Sequence, residues 1–241
     1  MATVKEHYDK VLSDVYSWMS GGFDVAIQRN TEFIIKHNLR PEGSGNAIDL
    51  GSGCGFQSIP LAKAGYSVTA IDIDAKLLNE LTSNCGDLHI TTIRDDLVNF
   101  DKSTQKGVEL IVCMTDTIAH LETKEKVISL CDKVFEALEP KGKFILTFRD
   151  LTHELIELDR FLPVKSDENI IFTCFLEYEP EAVKVHDIVY KKLLGEWKLY
   201  KSFYRKLRLS RDWIDRTLLG SGFTEIDTSI EKGLVTVIAV R

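Results

Sequence analysis

The sequence predicts an α/β fold: a seven-stranded, mostly parallel sheet with its last strand antiparallel, helices on both faces, and an inserted small antiparallel β-sheet. Three observations predict it. Short apolar runs alternate with helical-period segments between residues 47 and 148, as βαβ units require; the pattern then changes to long β-type runs; and a helix followed by a hairpin closes the chain.

From His7 to Asn38 the period is helical. Tyr8, Val11, Leu12 and Val15 recur at three-to-four spacing, and Phe23, Ile27, Phe33 and Ile34 resume it after Gly21-Gly22, so two helices precede the first strand. The second stops near Leu39-Arg40-Pro41, because proline disfavours helical geometry in the residue before it. An apolar strand begins at Ala47 and runs into Asp49-Leu50-Gly51-Ser52-Gly53-Cys54-Gly55. Glycines there adopt dihedrals costly for other residues and let the backbone approach a ligand, so the turn reads as a nucleotide cradle. Phe56 to Ala64 is a helix whose free N–H groups point at that turn. Tyr66 to Asp72 is a second strand, and Ala75 to Asn84 a crossover helix with Leu77, Leu78 and Leu81 facing the sheet. Leu88 to Ile93 and Val108 to Cys113 are the third and fourth strands. Helix Lys124 to Leu138 follows, and Glu139-Pro140-Lys141-Gly142 turns into a fifth strand, Lys143 to Phe148.

Beyond it, Ile170 to Tyr178, Val183 to Leu193 and Trp197 to Leu209 read as three antiparallel strands separated by turns. Arg211 to Leu219 is a helix. Phe223 to Ile230 and Leu234 to Val240, joined at Lys232-Gly233, form a hairpin that joins the sheet edge. Residues 1–150 and 210–241 therefore make one domain with an N-terminal helical lid, and 151–209 an insertion covering the ligand site, where loops and insertions carry specificity.

With 241 residues, 44% of them hydrophobic, the chain has enough apolar surface for a sizeable core. Its formal charge of -7 opposes nucleic acid and anionic membrane as partners and favours a small molecule. The basic and aromatic mixture of Lys198 to Arg211 alternates as a strand with one solvated face does. Cys54, Cys85, Cys113, Cys131 and Cys174 form no CxxC pair, so neither structural zinc nor a redox dithiol is expected and the sequence requires no metal. Met1 to Lys10 lacks the apolar core of a secretory signal, and no apolar run is long enough to cross a bilayer; a cytoplasmic protein is expected, with a homodimer compatible.

Together these residues resemble the class I S-adenosylmethionine-dependent methyltransferases, with their Rossmann-like fold, over nearly the whole chain. The resemblance rests on acid-x-Gly-x-Gly-x-Gly in Asp49, Gly51, Gly53 and Gly55, spaced differently from the dinucleotide fingerprint. It rests also on Pro140-Lys141-Gly142, similar to the family's Pro-Gly-Gly turn, and on the reversed hairpin after Phe223. It implies S-adenosylmethionine as cofactor, with its methionine part over Gly51, Ser52 and Gly53, and Asp49 ordering water or the cofactor amine. Asp72 would accept both ribose hydroxyls, leaving Asp74 as the cap of the next helix. Asp96, spaced Asp-x-x-x-Phe from Phe100, would accept from the adenine amino group and Leu97 would donate its N–H to the ring; Asp95 is the competing acid. Ile73 packs on the adenine face or simply in the core. Met114 at the strand end, and Tyr16 and Trp18 of the lid, complete the cofactor set, although aromatics at helical spacing are also ordinary core.

The segment Cys113 to Leu121 resembles glycine N-methyltransferase and amino-sugar N-methyltransferases, in which a His-Leu pair stands at the same spacing from the strand. That resemblance implies His120 as a base for a substrate ammonium or hydroxyl, against the alternative of a structural histidine. Thr115 and Asp116 would face the acceptor. Arg149 would grip a substrate carboxylate through two parallel hydrogen bonds, unless it pairs internally with Asp150 or Asp116. The activity so implied is methyl transfer to a nitrogen or oxygen of a small molecule by in-line displacement. A nicotinamide-dependent oxidoreductase and a non-catalytic cofactor-binding protein share the fold and stand as alternatives.

Overall fold

The computed structural model describes residues 3–241; Met1 and Ala2, at the start of the polar N-terminal stretch, lie outside the described residues. α1 (Val4–His7) opens with a capping box: the Thr3 side chain accepts from the Glu6 N–H and the Glu6 carboxylate accepts from the Thr3 N–H. One π-type turn (Tyr8–Leu12) and one 3-10 turn (Ser13–Val15) carry the chain into α2 (Tyr16–Met19). The single helix expected there is thus one helical path whose hydrogen-bond ladder changes type. After Gly21-Gly22 comes α3 (Phe23–Lys36), which stops before the expected Leu39-Pro41 because Asn38 turns left-handed at φ 48.

The following elements are β1 (Asn46–Leu50), α4 (Ser58–Lys63), β2 (Ser67–Asp72), α5 (Ala75–Asn84) and β3 (Ile90–Arg94). Then come α6 (Phe100–Ser103), β4 (Val108–Cys113), α7 (Lys124–Ala137) and β5 (Leu138–Arg149). The insertion holds β6 (Phe161–Ser166), β7 (Ile170–Tyr178), β8 (Ala182–Leu193) and β9 (Glu196–Leu207). α8 (Arg211–Ser221), β10 (Glu225–Glu231) and β11 (Leu234–Val240) close the chain.

The main sheet runs β10-β11-β5-β4-β1-β2-β3. Strands β1 to β5 pair in parallel and β11 lies antiparallel between β5 and β10, which is the sheet that the sequence predicts. Strand order reverses between β1 and β4, so the crevice at their C-terminal ends is where a ligand fits an open α/β sheet. Both faces are covered. Ile111 and Phe144 point to the side of Val127 and Val134 from α7 and Ile214 from α8, while Leu110, Val112 and Ile145 point to Ile34 of α3 and Leu61 of α4. Burial on both faces explains why these strands are continuous apolar runs without alternation.

Two expectations need correcting. Glu139-Pro140-Lys141-Gly142 is a bulge inside one strand: pairing with β4 jumps from Val108↔Leu138 to Leu110↔Lys143, and Lys141 is left-handed at φ 69. A Cβ at Gly142 would lie 2.8 Å from the Glu139 carbonyl oxygen, so the bulge closes only on glycine. The insertion has four strands where three are expected, in the order β6-β7-β8-β9. The missed strand, β6, carries Pro163, which cannot donate to a ladder and sits on an edge strand for that reason. No helix among the described residues is long and apolar enough to cross a membrane.

Candidate active site

A cavity of about 810 Å³ opens at the C-terminal ends of β1 to β4. Its floor is the glycine turn, at Gly51 and Gly53; its far wall is Asp72, Ile73 and the 95–98 loop; its near end holds Thr117 and His120. Val4, Lys5, Tyr8 and Tyr16 of the N-terminal helical path cover it from one side, and Ala182, Arg205 and Leu207 of the inserted sheet from another.

The three glycines of the turn do different work. All have positive φ (74, 53 and 90). A Cβ on Gly51 would collide with the Thr117 methyl and one on Gly55 with Leu81, so the first glycine admits the loop after β4 and the third admits α5. Around Gly53 there is room, with Tyr16 as the nearest atom at 3.7 Å, and its N–H donates to Asp72 Oδ2 at 2.8 Å. Asp72 Oδ1 accepts from the Asp74 N–H at 2.8 Å. Both carboxylate oxygens are therefore oriented by backbone while each keeps a lone pair for a ligand hydroxyl. Burial raises the Asp72 pKa, and these backbone bonds oppose it. Asp74 caps α5, accepting from the Lys76 and Leu77 N–H groups and from Ser13 Oγ at 2.6 Å, as the sequence predicts.

Asp95 and Asp96 both line the cavity, as do Ile73, Leu97 and Tyr16. The Asp95 pKa is lowered by hydrogen bonds from the Asn99 side chain and the Asp96 N–H. Asp96 caps the turn Leu97–Asn99 through Val98 N–H at 3.1 Å. Tyr16 stacks on Phe56 with ring centroids 5.8 Å apart.

His120 ends a short 3-10 turn and also faces the cavity. Tyr204 stacks on its ring at 5.0 Å and Tyr8 meets it edge-on at 6.1 Å. Its Nδ1 is buried with no hydrogen-bond partner among the described residues. Burial first, then the Lys206 ammonium, push its pKa down to about 3, with Asp116 opposing them. The imidazole is thus neutral at any ordinary pH, with a lone pair to offer.

Other residues named from the sequence lie outside the cavity wall. Asp49 is buried behind the turn, accepts from Ser58 Oγ at 2.6 Å, and is pushed up to about 7 by burial. Ser52 is buried too, its N–H bonded to the Ile71 carbonyl and its Oγ unpartnered among the described residues. Trp18, in α2, donates to Asp167 Oδ2 at 2.6 Å with Lys165 Nζ over its ring. Met114 packs toward Ile34 and Leu61, on the opposite face of the sheet. Thr115 is exposed, accepts from Gln57 Nε2 and takes a left-handed φ of 61. Of the two readings left open for Arg149, the internal pair is the one formed. Its Nη1 lies 2.7 Å from Asp116 Oδ2, which also accepts from Lys206 Nζ at 2.9 Å. Burial would raise the Asp116 pKa, but these two cations outweigh it and hold the carboxyl well below the usual range.

Tyr8, Thr117, Tyr204 and Lys206 were not singled out from the sequence. Tyr8 is legible there only as an apolar helix position. Tyr204 and Lys206 share the inward face of β9, which period-two alternation could have isolated had the facing partner been known.

Residues 47–142 match the family described as "Methyltransferase domain". The glycine/sarcosine N-methyltransferase of Aphanothece halophytica is 25% identical over 201 residues, 82% of this chain and 72% of that protein. A putative methyltransferase of Bacillus subtilis (strain 168), YqeM, is 30% identical over 102 residues, 41% of this chain and 40% of that one. Among solved structures, an S-adenosylmethionine-dependent methyltransferase from Clostridium acetobutylicum ATCC 824 superposes with a TM-score of 0.75 at 16% identity, covering 88% of this chain and 91% of the other. The amino pentose methyltransferase CalS10 from Micromonospora echinaspora gives 0.74 at 13%, covering 95% of each chain. At such identities the structures speak for the fold, and the domain match speaks for residues 47–142. Residues 47–142 match a methyltransferase domain, and the chain's glycine turn, sheet order and reversed hairpin are those of the Rossmann-like methyltransferase fold.

Proposed function

We propose that the chain moves the methyl group of S-adenosylmethionine to a nitrogen of a small molecule. The observation that carries the acceptor side is His120, a neutral imidazole with its pKa pushed down to about 3, in the same cavity as the glycine turn. So weak a base does not take the proton of a hydroxyl, whose own pKa is far higher; it accepts a hydrogen bond from an amine N–H and points the nitrogen lone pair. An amine that is already neutral needs no base before attack. The relative from Aphanothece halophytica is named for N-methylation, which agrees with this choice.

S-adenosylmethionine supplies an electrophilic methyl on a sulfonium, so the protein's part is placement. The residues present suit it. Gly53 leaves backbone bare for the methionine end, and Ser52 Oγ, unpartnered among the described residues, lies in the same turn. Asp72 offers oriented lone pairs to the ribose diol, Ile73 and Leu97 a wall for adenine, and Asp96 an acceptor for its amino group. Tyr16 closes this end as part of the lid. Most of the rate enhancement then comes from holding donor and acceptor in line. Residues 151–209 cover the acceptor end and select its substrate, and the formal charge of -7 favours a small molecule over a nucleic acid.

Calorimetric titration with S-adenosylhomocysteine and, separately, NADH tests the cofactor; tight binding of NADH alone would overturn the proposal in favour of an oxidoreductase. A panel of amines, amino acids, amino sugars and phenols with radiolabelled S-adenosylmethionine tests the acceptor. Label appearing in phenols and not in amines refutes the nitrogen assignment, and binding without any turnover would indicate a cofactor-binding protein.

A further inference from the structure

Behind the cavity lies a buried polar group that the proposed reaction does not use. His7, on α1, is fully buried, and its Nε2 stands 2.8 Å from Oδ2 of Asp187, on β8 and only 1% exposed. The other carboxylate oxygen of Asp187 accepts from Cys174 Sγ at 2.9 Å, from the facing position of β7. Neither His7 nor Asp187 lines the cavity. A carboxylate taken out of water needs such partners, and an apolar pair of the same volume would hold two elements together at no greater cost. The pair is therefore a costly way to attach a helix, which raises the question of what else it does.

Its neighbours answer. The His7 ring rests on Tyr204 at 4.4 Å, and Tyr204 stacks in turn on His120 at 5.0 Å and 21°. The next residue after His7 is Tyr8, whose ring meets His120 edge-on at 6.1 Å. His120 thus sits against two tyrosines. One belongs to the strand that His7 packs on and the other to the helix that His7 anchors. Nothing hydrogen-bonds to His120 Nδ1 among the described residues, so ring packing alone fixes the imidazole plane. The hydrogen bond between Nε2 and Asp187 Oδ2 also fixes the azimuth of the His7 ring, which a purely apolar contact would leave free.

We infer that His7 and Asp187 are a positioning pair that sets the orientation of His120 through Tyr204 and Tyr8. This rests on the methyltransferase reading only for its kinetic readout. Breaking the pair on one side strands a buried polar group and risks misfolding, so the informative variant replaces both partners, H7L/D187L, with H7Q as the conservative change that keeps a hydrogen-bonding nitrogen at the Nε2 position.

Four measurements decide it. In the S-adenosylhomocysteine complex, the imidazole carbon and nitrogen resonances of His120 should shift in H7L/D187L and stay near wild-type values in H7Q. Melting temperature should be unchanged or higher in the double variant, and S-adenosylhomocysteine affinity should stay within about twofold, since none of the proposed cofactor residues is touched. With an amine acceptor in hand, kcat should fall about tenfold to a hundredfold in H7L/D187L, as small misplacements of a reacting group do, and recover in H7Q. A double variant with unchanged His120 resonances, or with wild-type kcat, would reduce the pair to structural glue and overturn the inference. Failure of the methyltransferase reading looks different: wild-type protein would then show no heat with S-adenosylhomocysteine.

Discussion

Replacing Asp116 by asparagine tests the electrostatics of the loop after β4 most directly. The carboxylate accepts from the Arg149 N–H at 2.6 Å, from Arg149 Nη1 at 2.7 Å and from Lys206 Nζ at 2.9 Å. The three bonds are not equal. Arg149 is 59% exposed, so its ion pair is screened and is worth at most about 1 kcal/mol. Lys206 is 13% exposed, and losing its counter-charge leaves a mostly buried ammonium, at a cost of about 3 kcal/mol. Asparagine keeps an oxygen for the Arg149 N–H and tolerates the left-handed φ of 66 at this position, so that bond and the backbone survive. The net loss is about 3–4 kcal/mol. Unfolding entropy near 2.1 cal/mol/K per residue gives a chain of this length about 0.5 kcal/mol/K, so the melting temperature should fall by about 6–8 °C. Calorimetry at neutral pH measures it. The acid dependence adds a sign. Because the folded pKa of Asp116 is depressed, its contribution is complete above the unfolded carboxylate value of about 3.9 and is lost as pH falls through the folded value. The gap between wild type and D116N should therefore be constant from neutrality down to about pH 5 and narrow in stronger acid. A fall of under about 2 °C, or a gap that widens on acidification, would refute the reasoning.

Further outcomes concern the cofactor end and His120. Asp72→Ala removes the acceptor of two backbone bonds and of the proposed ribose contacts; calorimetry should show S-adenosylhomocysteine binding weakened about tenfold to a hundredfold, and an unchanged affinity would exclude Asp72 from the site. Gly51→Ala drives a methyl into Thr117 at a φ of 74, costing about 1–3 kcal/mol and blocking the turn; adding Thr117→Ser, which removes the struck methyl, should restore part of the stability, and no recovery would place the strain elsewhere. An imidazole titration by NMR should find His120 neutral down to about pH 4, far below the ordinary value of about 6.5. Since its folded pKa is depressed, the stability it contributes is present above about pH 6.5 and is lost as pH falls toward the folded value. A measured midpoint near 6.5 would contradict both the burial of the ring and the case for a nitrogen acceptor.

What the sequence made legible was local. α5 and β4 fall on the predicted residues because each carries its own complete signal: an Asp74 cap with leucines at helical spacing, and a short apolar run bounded by Gly107. The hairpin at Lys232-Gly233 is as clear, since both residues take positive φ. β6 was not legible, because Phe161–Ser166 has a proline and becomes a strand only by pairing with β7. The same division runs through the site. Gly51, Gly53, Asp72, Asp96 and His120 follow strand ends that periodicity locates, and all five line one cavity. Tyr204 reaches His120, and Lys206 reaches Asp116, from an insertion whose packing no local pattern specifies.

Arg149 shows where a motif reading has to stop. Its position at the end of β5 is local information, and the expected grip on a substrate carboxylate comes from resemblance alone. The carboxylate it holds is Asp116, 33 residues earlier, and that contact depends on the backbone of the loop after β4. Thr115 and Asp116 are consecutive left-handed residues, φ 61 and 66, neither of them glycine. Such a pair costs on the order of 1–3 kcal/mol for each residue and persists only where its surroundings over-determine it. Here β5 does so: the Thr115 N–H donates to Thr147 Oγ1 at 2.7 Å, the Asp116 N–H to the Thr147 carbonyl at 3.0 Å, and the Arg149 N–H back to Asp116 Oδ1. The reversed loop is what turns Thr117 over Gly51 and delivers His120 to the cavity. Arg149 and Asp116 therefore bear on the cavity through the shape of this loop, and a ligand carboxylate could take Arg149 only by displacing an aspartate held by three bonds.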